Sequence, residues 1–213
     1  MLNYLLKNDK FPDVENALKA PNGLLAISDD LSTERLLDAY RKGIFPWFNE
    51  GEPVLWFSPN PRMVIDKNSL KIAKSLKKLI NTAKYQIKIN SQFDAVIKNC
   101  ATIKRDDDGT WINSKMIKAY TKLYHLGYAK SVEVYEDNNL IGGLYGVSMA
   151  KVFFGESMFY LKPNASKIAL VHLVNNMDYE LIDCQVETEH LKSLGAYNLV
   201  RKDFITKMQK LLI

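Results

Sequence analysis

Residues 131–160 constrain the fold more than any other stretch, because three short apolar runs follow one another there: "SVEVYED", "NLIGGLYGV" and "KVFFGESMF". Turn residues separate them, Asp137-Asn138-Asn139 being the clearest, so the segment predicts three successive strands joined by tight turns. The glycines of "GGLYG" lie inside a strand pattern, where they mark a bulge or a close approach of backbone. A meander has to bury its apolar face, and helical patterns flank it on both sides. "SKMIKAYTKLYHLG" predicts a helix ending at Gly127, and "NASKIALVHLVNNM" a helix capped by Asn164 or Ser166. The strand "YELIDCQV" and a short helix around "TEHLKSLGA" follow. This order predicts an α+β fold with a mixed β-sheet.

The N-terminal part is organised differently. Asn22-Gly23 signals a turn before "LLAISDD", and Ser32 can cap a helix whose Leu36, Leu37 and Tyr40 form an apolar stripe ending at Gly43. "IFPWFNEGEPVLWFSPNPR" then packs four prolines, two tryptophans and three phenylalanines into nineteen residues. Prolines at that density forbid a long helix and fix an extended, turn-rich path that holds aromatic rings at defined angles. A domain junction is expected near residue 62, separating a small N-terminal domain, 1–62, from a larger one, 63–213.

Charge is informative by position. Against 29 basic and 24 acidic residues overall, residues 67–88 hold seven lysines and no acid. In "SLKIAKSLKKLI" Ile72, Leu76, Leu79 and Ile80 fall at helical spacing, and Lys71, Lys74, Lys77 and Lys78 surround that stripe. A solvated face and a surface that captures a phosphate backbone both fit this pattern. No apolar run approaches the roughly 20 residues that cross a bilayer, and the first residues do not form a secretory signal, so the cytoplasm is the expected location. Cys100, Cys184 and the three scattered histidines show no metal-ligand spacing, and no metal is expected.

Among polar residues in apolar surroundings, "LIDCQV" stands out. Unbroken alternation puts Asp183 and Gln185 on one strand face and Cys184 on the other, and by the same rule Phe154, Glu156 and Met158 share a face. A satisfied polar pair and a reaction centre are both compatible with that pattern. The phosphate loops GxGxxG and GxxxxGK[ST] and the GxSxG elbow are all missing.

Taken together, "PNGLLAISDDLS…LLDAYRKGIFPWF", "LWFSPNPR", "GTWI", "SVEVYEDNNLIGGLYGV", "FFGESMF…NASK" and "LIDCQV…HLKSLGA" resemble the leucyl/phenylalanyl-tRNA–protein transferase family. The resemblance implies a GNAT-like acyltransferase domain that needs no cofactor. The turn "YLKPNASK" agrees in lacking the glycines that would cradle the pyrophosphate of CoA. It implies transfer of Leu or Phe, and Met less well, from aminoacyl-tRNA to the N-terminal Arg or Lys of a protein, which marks that protein for the bacterial N-degron pathway. By motif it implies Asp183 and Gln185 as the catalytic pair, Trp47 and Trp111 beside the tRNA 3′ adenosine, and Glu156, Tyr120 and Tyr40 as substrate contacts. Leu144, Met158 and Leu173 are the expected walls of the side-chain pocket, and the lysines the tRNA-backbone contacts. A monomer is expected. Two positions depart from the family pattern: Phe57 stands where a second tryptophan is usual, and Ala150 where a turn glycine is common.

Overall fold

The computed structural model of the protein describes residues 2–82, 84–102 and 112–213. Its first sheet uses strands β1 (Asn3–Leu5), β2 (Leu24–Ser28), β3 (Phe45–Pro46) and β4 (Val54–Phe57) in the order β1-β2-β4-β3, with helix α1 (Thr33–Arg41) between β2 and β3. Ser32 starts α1 by accepting the Arg35 N–H at 3.3 Å, and Gly43 ends it with φ +71°. The proline-rich segment is extended, as its composition requires. Gly23 supplies the predicted turn at φ +88°, and any Cβ there would sit 2.4 Å from the Pro59 backbone.

The second sheet is larger. Its strands are β5 (Arg62–Ile65), β6 (Gln86–Ile89), β7 (Ala129–Glu136), β8 (Asn139–Met149), β9 (Val152–Tyr160), β10 (Leu181–Gln185) and β11 (Tyr197–Leu199), ordered β11-β5-β10-β9-β8-β7-β6. The meander β7-β8-β9 is antiparallel and forms as its alternation predicts, while β10 pairs with β9 in parallel. The sheet is therefore mixed. Helices α2 (Lys74–Ile80), α3 (Phe93–Thr102), α4 (Ser114–His125), α5 (Ala165–Asn176), α6 (Glu189–Ser193) and α7 (Arg201–Leu211) complete the chain.

Alternation along β7 to β9 builds a core on each face of this sheet. Val132, Leu144 and Phe153 pack under α5, whose Ile168, Ala169 and Leu173 are buried. Tyr145, Val147 and Phe154 pack on the other side against α1, α3, α4, α7 and the first sheet. Each large side chain buried in this way contributes about 1.5–3 kcal/mol. Trp56, fully buried, also places its Nε1–H on Ser28 Oγ at 2.9 Å, which removes the cost of burying its polar edge. Close approach explains Gly146: a Cβ there would lie 2.1 Å from the Phe154 carbonyl oxygen.

Two local expectations are corrected. The lysine-rich helix is shorter than its apolar stripe suggests, starting at Lys74, so Lys71 precedes it. The hydroxyl that could have capped an earlier start, Ser69 Oγ, is engaged in a turn with Asp66. Asn164 starts α5 in a left-handed conformation without a side-chain cap. Among the elements that the pattern reading passed over, α3 and α7 were legible: Phe93, Val96, Ile97 and Cys100, like Phe204 and Met208, are buried at helical spacing.

Candidate active site

The site forms where two parallel strands part. β10 pairs with β9 through Leu181↔Val152, Ile182↔Phe153 and Asp183↔Phe154, and beyond that point both strands bulge. In β9, Gly155 faces Gly146 and Ser157 faces Tyr145, so Glu156 is an inserted residue. In β10, Asp183 faces Val64 and Gln185 faces Met63, so Cys184 is inserted. A bulge bends its strand and re-aims its side chains. Two of them side by side open a cavity of about 470 Å³ between the strands.

These insertions overturn the alternation argument. Asp183, Cys184, Gln185 and Val186 all border the cavity, so Cys184 does not face away from it. Nor do Phe154, Glu156 and Met158 share a face: Phe154 lies in the core beneath α1, and Met158 packs on the α5 side. Burial pushes the Cys184 thiol above its ordinary value, and the Asp183 charge adds to this, so it is no ready nucleophile.

Glu156 is buried and has no cationic partner among the described residues. Tyr40 Oη donates to its Oε1 at 2.7 Å, Tyr120 Oη to its Oε2 at 2.9 Å, and Gln185 Nε2 to its Oε1 at 2.9 Å. The two tyrosine hydroxyls also lie in contact with each other; with one proton apiece they cannot both donate to Glu156 and bond to one another, so all three contacts are hydrogen bonds only when the carboxyl carries a proton and donates one of them. Burial pushes the carboxyl up to about 7; the tyrosine donors pull it down, the Asp183 charge raises it and Gln185 lowers it. Both tyrosines are held well above their ordinary value, by burial first and by Glu156 second. The group therefore exchanges a proton near neutral pH without leaving its place.

Asp183 is a different kind of carboxylate. Arg62 grips it with Nε on Oδ1 at 2.7 Å and Nη2 on Oδ2 at 2.6 Å, and both side chains are fully buried. Its Oδ1 also accepts the Gln185 backbone N–H at 2.9 Å. The two members of the expected pair do not meet through their side chains: Glu156 holds the Gln185 amide, and Asp183 holds the Gln185 backbone. Gln185 itself has φ +64°, a left-handed conformation that costs a residue with a Cβ about 1–3 kcal/mol unless its surroundings impose it.

The other expected residues divide by distance from this centre. Leu144, Met158 and Leu173 all line the cavity, and Trp47, 44% exposed, stands among its walls against Phe57, ring centroids 5.6 Å apart. Tyr40 and Tyr120 lie behind Glu156, brought there by α1 and α4. Lys71, Lys74, Lys77 and Lys78 are exposed and do not line the cavity. Trp111 lies outside the described residues. Among those described, no group of three or more His, Cys, Asp and Glu is placed to hold a metal ion.

The family model described as leucyl/phenylalanyl-tRNA protein transferase matches residues 64–209, and that of the family's N-terminal domain matches residues 29–60. The chain belongs to this family. The leucyl/phenylalanyl-tRNA–protein transferase of Nitrosospira multiformis is 49% identical over 214 residues, covering 99% of this chain and 92% of that protein. That of Hydrogenovibrio crunogenus is 52% identical over 198 residues, covering 91% and 77%. Among solved structures, a GCN5-related N-acetyltransferase from Kribbella flavida superposes with a TM-score of 0.39 at 9% identity, covering 76% of this chain and 58% of that one.

Within this chain, both departures from the family pattern are accommodated. Phe57 is buried against Phe45 and Trp47, and Ala150 holds the turn between β8 and β9 at φ +45°. One residue of the site escaped the sequence reading altogether. Arg62, in "PNPR", looks like a surface charge at the start of an apolar strand, and only the fold pairs it with Asp183, 121 positions away.

Proposed function

We propose that this chain transfers Leu or Phe from aminoacyl-tRNA to the N-terminal Arg or Lys of proteins, and that the Glu156 cavity is where the transfer occurs. One observation carries the assignment: an apolar pocket opens directly onto a hydrogen-bonded amide and a carboxyl that exchanges its proton near neutrality. Leu144, Met158 and Leu173 suit an unbranched-Cβ apolar side chain, methionine being adaptable enough for Leu and Phe alike. Trp47 offers an exposed indole for a terminal base, a stacking contact of about 1–3 kcal/mol, and the lysines of residues 71–78 offer salt-sensitive contacts to duplex phosphates.

The chemistry asks little of the protein. An aminoacyl ester is activated, and an α-amino group with a pKa of about 7.7–8.0 is partly neutral at cellular pH. With Nε2 committed to Glu156, Gln185 has its Oε1 left to accept an N–H of the incoming amine and aim its lone pair. The N–C bond forms and the C–O3′ bond breaks. The amine proton passes to Glu156 and from there to the departing 3′ oxygen. The aminoacyl-tRNA donor supports work in the cytoplasm.

The test is direct transfer. Protein is incubated with labelled Leu-tRNA and peptides beginning with Arg, Lys or Asp, without CoA; label is expected on the first two only. Transfer to all three overturns the acceptor assignment, and transfer to none overturns the function.

A further inference from the structure

Gln185 is tied through Asp183 to an arginine at the start of β5. We propose that Arg62 is a positioning residue of the transfer site: by clamping Asp183 it holds Gln185 in the backbone conformation that lays its amide on Glu156. This rests on the Glu156 cavity being the transfer site.

The contacts run without a break. The guanidinium fork meets both Asp183 oxygens, Oδ1 also receives the Gln185 backbone N–H, and Gln185, at φ +64°, donates its side-chain amide to Glu156. The guanidinium is itself fixed between two rings, 4.7 Å from the Phe45 centroid and 4.8 Å from that of Phe204. Its Nη1 has no partner among the described residues, so the hydrogen bonding of this buried group is directed at Asp183. A planar fork fixes the rotation of a carboxylate, whereas an ammonium leaves it free to turn. Once Asp183 turns, Oδ1 leaves the Gln185 N–H. The backbone then relaxes toward the extended region that residues with a Cβ favour, and the amide swings off Glu156. Although Asp183 borders the cavity, it is fully buried and its carboxylate is taken up by Arg62 and the Gln185 N–H, so its effect, like that of Arg62, passes through Gln185.

A double-mutant cycle tests this. Single-turnover Leu transfer at saturating Leu-tRNA is measured for wild type, Arg62→Lys, Gln185→Ala and the double variant. Arg62→Lys is expected to slow transfer about 30-fold with Leu-tRNA affinity within about twofold of wild type, and the double variant to fall no more than about threefold below Gln185→Ala. The rising limb of the pH profile contains the attacking amine, which is the same in every variant, and Glu156; the Glu156 part is expected to move upward alike in both single variants, since each withdraws a donor from that carboxylate. A merely structural Arg62 would give losses that multiply and a limb that stays in place, and either result overturns the proposal. If Arg62→Lys does not fold, Phe204→Leu takes its place in the cycle: it loosens the guanidinium without removing the charge, and an about fivefold loss that disappears in the Gln185→Ala background is expected. A loss that persists there overturns the proposal. A wild type that transfers nothing overturns the underlying reading of the cavity, whereas multiplying losses in an active protein overturn the positioning alone.

Discussion

Asp183 and Glu156 are both buried carboxylates of the same cavity, yet their partners differ in kind. Asp183 is locked to an arginine by two charge-assisted hydrogen bonds. Glu156 is surrounded by neutral donors, two hydroxyls and an amide. A guanidinium fixes the orientation of a carboxylate through charge-assisted hydrogen bonds, while neutral donors around Glu156 leave the cost of its burial only partly offset. The same functional group thus becomes an anchor in one place and, in the proposed reaction, a proton carrier in the other. Position in the sheet selects which is which: Asp183 sits in the pairing zone of β9, β10 and β5, and Glu156 in the bulge beside the cavity.

The comparison breaks most visibly if the anchor is removed. Asp183→Ala strands a buried guanidinium and should cost about 3–5 kcal/mol of stability, measurable by denaturant unfolding; a loss below about 1 kcal/mol would mean that the pair is not an anchor. Glu156→Gln keeps the shape but not the proton chemistry, and should slow single-turnover transfer at least about 100-fold with the fold intact. In stability the same variant should go the other way. The folded Glu156 titrates near 7 against an ordinary 4.5, so its contribution is whole below pH 4.5 and is lost as pH rises through 7. Glu156→Gln should therefore be more stable than wild type at pH 8, by about 1–3 kcal/mol, and the gap should close toward pH 4.5. Melting curves at the two pH values check the sign. The smallest effect sharpens the contrast further: Tyr120→Phe withdraws one neutral donor from the ionised form, so the rising limb of the pH profile should move up by about one pH unit. A limb that moves down would show that the hydroxyls do not stabilise the ionised carboxylate.

Much of the frame was legible because it rests on local rules. Alternation and turn residues marked β7, β8 and β9, a serine cap and a glycine stop marked α1, and the prolines marked an extended segment. The residues of the cavity were legible in part: Leu144, Met158, Leu173, Trp47, Glu156 and Gln185 do meet there. Their relations were not. Alternation assumes an unbroken strand, and an inserted residue at Glu156 and another at Cys184 reset it. Nothing in "FFGESMF" or "LIDCQV" announces a bulge, because the insertion is decided by which residues of the neighbouring strand find partners.

What the sequence by itself determined is the family, the order of elements and the identity of the polar residues, since periodicity, caps and motif spacing are properties of neighbours along the chain. Only the tertiary structure decided that Arg62 grips Asp183, that Tyr40 and Tyr120 converge on Glu156, and that β9 and β10 part to open a cavity. Those are contacts between residues 29 to 121 positions apart, and their energies come from burial and charge pairing. No window of local sequence contains both partners.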